Sequence, residues 1–261
     1  MTVESALTLT GLDGFTFLLV LVRVAGLVTV APILGHRAIP IMHRAGLAAL
    51  LALVLVSTVK RAAPARTLVH ALLVIGGEFV AGAIIGFLAS MLLAAVHGAA
   101  EVVGFQMGFG VAAAFDPALG QQTTVLARFE ESIVLLLFLG INGHHLLIEA
   151  LALTLRRLEP GTVGVAVAAG GVVALGSKLF RSALDLAAPL VGVLFIVNVA
   201  MALLARAAPQ MNVFGVGLPV MIAVGLVTLT ETLPYIAAVV IRLTDELGWD
   251  IGVILGAARG I

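Results

Sequence analysis

GFQMGFGVAAAFDPALGQQT, residues 104–123, interrupts two long apolar stretches, 68–96 and 132–153. An ordinary loop is polar, yet this one carries Phe105, Met107, Phe109, Val111, Phe115 and Leu119, all of which favour packed surroundings. Nor does it read as part of a spanning helix. Gly104, Gly108, Gly110 and Gly120 loosen the backbone, and Asp116-Pro117 breaks it. At apolar depth in a membrane, irregular backbone survives only where protein buries it or where it lines a cavity. The stretch therefore predicts a plug or constriction inside a helical membrane assembly.

Composition agrees with that setting. Of 261 residues, 62% are hydrophobic and 11% charged, and the mean hydropathy is +1.23. Soluble domains carry roughly 25% charged residues, so this chain cannot coat a globule of its size with solvated side chains. A formal net charge of zero argues against nucleic acid, which requires a basic stripe. Without cysteine there are no disulfides, thiolate metal sites or cysteine nucleophiles. The N-terminal MTVESALTLTGLDG has Glu4 and Asp13 but no Lys or Arg, which predicts a retained first helix rather than a secretory signal.

Runs near the ~20 residues needed to span a bilayer occur at 14–34, 45–59, 68–96, 132–153, 183–205 and 211–241. The expectation is an all-α membrane protein of about six long apolar helices arranged as hairpins. Pro219 and Pro234 predict a kinked or split last run. The Gly-rich 162–177 reads as a re-entrant piece or surface segment. With six crossings, Lys60, Arg61, Arg66, Arg156, Arg157, Lys178, Arg181, Arg242 and Arg259 fall on one side, against Arg37, Arg44, Arg128 and Arg206 on the other. The excess of positive charge then places both termini in the cytoplasm. Two features set the chain apart from a lone lipid-facing bundle. It has one Trp and one Tyr, so aromatic belts are missing, and Gly82-xxx-Gly86-xxx-Ser90 and Gly104-xxx-Gly108 permit close helix approach.

Arg23, Glu78, Glu101 and Glu231 lie within or beside apolar runs. Such charges are paired or functional, and structural pairing is the expectation, because acids and histidines do not fall at helical spacing on one face as a relay would require. Neighbouring His144 and His145 point about 100° apart on a helix, so they suit hydrogen bonding rather than chelation. No metal, nucleotide or hydrolase motif is present; no enzyme, cofactor or metal is expected. The Phe/Met/Gly segment could close a pore, since apolar constrictions gate by dewetting and Met adapts to irregular contents. It could equally fill the core of a helical hairpin.

GFQMGFGVAAAFDPALGQQ, with LFLGINGHHLLIEAL at 137–151, RVAGLVTVAPILGHRAIP at 23–40, GEFVAGAIIGF at 77–87 and LLARAAPQMNVFGVGLP at 203–219, resembles the FliR family of flagellar export proteins. The likeness runs from about residue 17 to about 240. Gln106-Met107-Gly108 and Asp116-Pro117 resemble the flagellar branch more than the injectisome branch. The resemblance implies a core subunit of a type III export gate that helps form and seal the channel for unfolded flagellar proteins. It implies FliP-like and FliQ-like membrane partners, cytoplasmic export components and cargo in transit. It implies a bacterial inner membrane, multi-pass protein in the flagellar basal body, with a FliP-like part at 1–185 and a FliQ-like hairpin at 186–261. By position, Phe105, Gln106, Met107, Gly108, Phe109, Gly110, Phe115, Asp116 and Pro117 become channel-plug residues. Pro32, Arg206, Pro209, Gln210, Asn212 and Phe214 become assembly residues. The competing reading is a small-solute secondary transporter or channel, which should show internal repeats and a midplane polar site. A scaffold without gating is the third.

Overall fold

The computed structural model describes residues 13–36, 39–63, 67–109, 125–161, 168–210 and 212–257. Among them are seven α-helices and no strand: α1 Gly14–Val30, α2 Ile41–Val56, α3 Leu68–Gln106, α4 Val125–Gly140, α5 Gly143–Arg157, α6 Ala168–Ala207 and α7 Val213–Ala257. The described residues confirm the all-helical class.

The expected six long helices resolve differently. Three helices, α3, α6 and α7, are singly long and apolar enough to cross a membrane, and α4 with α5 makes a fourth span if that bent pair counts as one. Helices α1 and α2, of 17 and 16 residues, fall short of the ~20-residue requirement. The apolar run 132–153 is broken at Ile141-Asn142 by a 59° bend. Asn142 adopts the left-handed conformation, φ 59°, which ends one helix and re-aims the next. Residues 168–177, expected to lie outside any span, open the 40-residue α6. Pro219 and Pro234 sit inside α7 without splitting it. Six full crossings were the premise of the topology expectation, so the described helices do not support placing both termini in the cytoplasm.

The chain divides into two compact units. The first comprises Met1–Met91, Asn142–Gly176 and Thr244–Ile261; the second comprises Leu92–Ile141 and Ser177–Leu243. Helices α3, α6 and α7 each supply a stretch to both.

In the first unit, Asp13 caps α1 by accepting from Thr16 N and Oγ1, satisfying an otherwise orphan donor. At the far end Pro32 cannot continue the helix, and Ala31 before it is extended, with ψ 139°, as the proline ring demands. Leu19, Val20, Val24 and Leu27 are fully buried. Helix α1 packs on α2 and meets α3 through glycines. A Cβ on Gly82 would lie 1.8 Å from the Arg23 carbonyl oxygen, and one on Gly26 would lie 2.2 Å from that of Phe79. Ser90 Oγ donates to Val30 O at 2.7 Å. The Gly82/Gly86/Ser90 spacing thus delivers the close approach expected of it.

Candidate functional site

The end of α3 carries the first half of the proposed plug. Met107 N donates to Val103 O and Gly108 N to Phe105 O, while Gly108 turns to φ +88°. A glycine in that conformation is the common way to end a helix, because a Cβ would be strained there. Helix α3 thus runs through Gln106, three residues into the interruption expected from the sequence, before the turn at Gly108. Gly104 remains helical and buried, whereas Gly108 lies past the helix.

The candidate plug side chains do not share one surface. Phe105 is 55% exposed and Met107 is 0% exposed; two residues apart on a helix, they point to nearly opposite faces. Met107 is pressed onto α7, where a Cβ on Gly225 would lie 2.6 Å from its Cε. A Cβ on Gly108 would lie 2.4 Å from Leu218 Cδ1. Gln106 Oε1 accepts from Asn198 Nδ2 of α6 at 3.5 Å, and Phe109 is partly exposed. Gly110, Phe115, Asp116 and Pro117 lie outside the described residues.

The assembly candidates form two local structures. Pro32 follows Ala31, the residue that caps the end of α1. Arg206 occupies the last turn of α6, where a cation complements the helix dipole. Pro209 and Gln210 make the turn that follows. Asn212 Oδ1 accepts from Gly215 N at 3.0 Å and so caps α7. Nothing is described of the Phe214 side chain.

The buried charge pair expected from the sequence is in the first unit. Arg23 Nε donates to Glu78 Oε2, and both side chains have 0% exposure. The Arg23 guanidinium also reaches Leu158 O at 3.4 Å, and Gly161 N donates to Glu78 Oε1 at 2.8 Å. The pair thereby ties α1 and α3 to the segment after α5. Coulomb attraction alone does not repay burial of two ions; the added hydrogen bonds on both partners are what make it tenable.

One expectation needs correction. His97 and Glu101 do stand one turn apart on α3, 3.8 Å between Nε2 and Oε1, and Glu131 of α4 faces His97 Nδ1 at 3.8 Å. Acid–histidine spacing of the relay type is thus present in the sequence at positions 97 and 101, and the partner at 131 becomes visible only once α4 is laid on α3. His145 Nδ1 lies 3.3 Å from Asn142 Oδ1, and the His144 and His145 rings touch with centroids 4.2 Å apart. Among the described residues, no three His, Asp or Glu converge as a metal-binding set.

A family model described as bacterial export proteins, family 1, matches residues 15–247. The flagellar biosynthetic protein FliR of Bacillus subtilis (strain 168) is 34% identical over 228 residues, 86% of this chain and 88% of that one. The FliR of Escherichia coli (strain K12) is 34% identical over 230 residues, 87% of each. The surface presentation of antigens protein SpaR of Shigella sonnei is 27% identical over 143 residues, 55% of this chain and 56% of that one.

Proposed function

The chain belongs to the bacterial export proteins of family 1, and from that membership we propose that it is a membrane subunit of the flagellar type III export gate. The observation that carries the reading is the 34% identity, over most of both chains, to two flagellar biosynthetic FliR proteins. On this reading the subunit helps form the conduit for unfolded flagellar proteins and holds it closed between transport events. It catalyses no reaction. Its partners are FliP-like and FliQ-like membrane subunits and the cytoplasmic export components, and its place is the inner membrane at the flagellar basal body.

The plug begins at the end of α3. Exposed Phe105 and partly exposed Phe109 are the described side chains available to a channel; Phe115 is proposed as a plug residue from its position in the sequence alone. Met107 acts as the anchor that fixes the root of the plug against Gly225, and Gly108, at φ +88°, turns the chain out of α3. Pro32, Arg206, Pro209, Gln210, Asn212 and Phe214 serve assembly by setting the ends of α1, α6 and α7. A FliP-like part at 1–185 and a FliQ-like hairpin at 186–261 would meet inside α6, three residues before Pro189.

Deleting residues 106–115 tests the gate. A plug predicts a channel that leaks ions while the complex still assembles. Loss of assembly without any leak identifies the segment as scaffold. Co-purification of the tagged chain from its native membranes tests the membership of the complex. A monodisperse chain without FliP-like and FliQ-like subunits would return the reading to a lone transporter.

A further inference from the structure

Two apolar segments of this chain each hold a single polar side chain. Asn198 is the one between Leu186 and Ala205, and Gln106 is the one between Val102 and Ala114. The two amides meet: Asn198 Nδ2 donates to Gln106 Oε1 at 3.5 Å. Asn198 is exposed on α6, where leucine would suit an apolar crossing better. A polar side chain kept in such a stretch is paired or functional, and amides commonly hydrogen-bond between membrane helices.

One residue further on, Met107 is fully buried and lies along α7 at Gly225. A Cβ on Gly225 would stand 2.6 Å from both Cγ and Cε of Met107 and 2.7 Å from its Sδ. The contact involves the length of the side chain, not its flexible tip alone, so alanine at 225 requires Met107 to leave. Glycine inside a helix weakens it relative to alanine; here it supplies the room for Met107. At the next residue, a Cβ on Gly108 would strike Leu218 Cδ1. Gln106, Met107 and Gly108 thus rest in succession on α6, on α7, and on α7 again about two turns away.

We propose that Asn198 and Gly225 are positioning residues of the export gate: together with Leu218 they seat Gln106, Met107 and Gly108 and so fix the direction in which the chain leaves α3. The inference rests on the reading of residues 106–115 as a plug. It adds that α6 and α7, far from the plug in sequence, aim it, and that α3 alone does not.

Ion leak across the native membrane, measured beside recovery of the chain and its partner subunits, reports the seat. Gly225→Ala and Asn198→Leu should each lose the seal, as the deletion of 106–115 does, with the chain and its partners recovered at the wild-type level. Removing the displaced side chain should restore the seal, so Met107→Ala/Gly225→Ala should leak less than Gly225→Ala. The exchange Gln106→Asn/Asn198→Gln, which keeps one amide on each helix, should leak less than Asn198→Leu. Asn198 is exposed, so Asn198→Leu does not overpack the interior and decides the matter if Gly225→Ala fails to accumulate. A tight seal in both single variants, beside a leaking deletion, would overturn the seat and leave the plug reading intact. A Gly225→Ala leak that Met107→Ala does not reduce would show a defect of α7 itself and overturn the role of Gly225. Leak accompanied by loss of partner subunits would make these residues assembly contacts instead. A deletion of 106–115 that holds ions would remove the plug reading, and the seat with it.

Discussion

Arg23 and Glu78 have no contact with solvent, so neither can lose its partner cheaply. Arg23→Met or Glu78→Gln alone should destabilise the first unit by about 3–5 kcal/mol, the usual cost of leaving one buried ion unpaired. The double variant Arg23→Met/Glu78→Leu should regain most of that loss, because removing both charges also removes their desolvation cost. Thermal unfolding of the purified chain in detergent separates the cases, and a double variant as unstable as the singles would contradict the argument. At the helix contact beside this pair, Gly82→Ala should cost about 1–3 kcal/mol by overpacking, since the new Cβ meets backbone rather than a flexible side chain. A Cβ on Gly76 would meet nothing within 4 Å, so alanine there should cause no loss in the same measurement. The sequence shows that such charges must be paired and that small residues four apart permit contact. It does not show that the partner of Arg23 lies 55 positions away, because that depends on which faces of α1 and α3 meet.

At the scale of the element, the decisive residues are those that stop a helix. Asn142 holds φ 59° between α4 and α5, a conformation that costs roughly 1–2 kcal/mol for an ordinary L-residue. Asn142→Gly should therefore be tolerated. Asn142→Val should lose about that much, read as a lower unfolding temperature, and an equal effect of the two would show that the bend is not set by backbone preference. Gly108→Ala should be harmful for two reasons, its φ of +88° and the nearness of Leu218. The glycine break after α3 is legible from GFQMGFG because helix-ending glycine has a local cause. The break at 141–142 is not, since INGHH sits inside an apolar run whose hydropathy hides the turn. The prolines of α7 do not split it. Proline removes one hydrogen bond and weakens a helix, but neighbouring groups in a membrane protein can compensate for it, and α7 runs through both.

The scale of the whole molecule turns on helix length against bilayer thickness. At 1.5 Å per residue, the 39, 40 and 45 residues of α3, α6 and α7 reach about 60–70 Å, twice a hydrocarbon core of ~30 Å. Each must therefore continue outside the lipid. Hydropathy marks where a helix is apolar, not where it stops, which is why 183–205 is legible as a span and 168–182 is not legible as its continuation. The charges of α6 divide it: Lys178, Arg181 and Asp185 precede an apolar stretch, 186–205, that ends at Arg206. That stretch has the length of one crossing. Single cysteines can be placed freely in this cysteine-free chain, at the exposed positions Val173, Phe180, Ile196 and Leu203. In native membranes, a membrane-impermeant maleimide should leave cysteine at Ile196 and Leu203 unlabelled. Cysteine at Val173 and Phe180 should react when partner subunits are absent and become shielded when they are present. Labelling at Ile196 would move the bilayer away from 186–205. Shielding at Val173 and Phe180 without partners would put all of α6 in lipid, and the charges at 178–185 would then need partners inside the membrane.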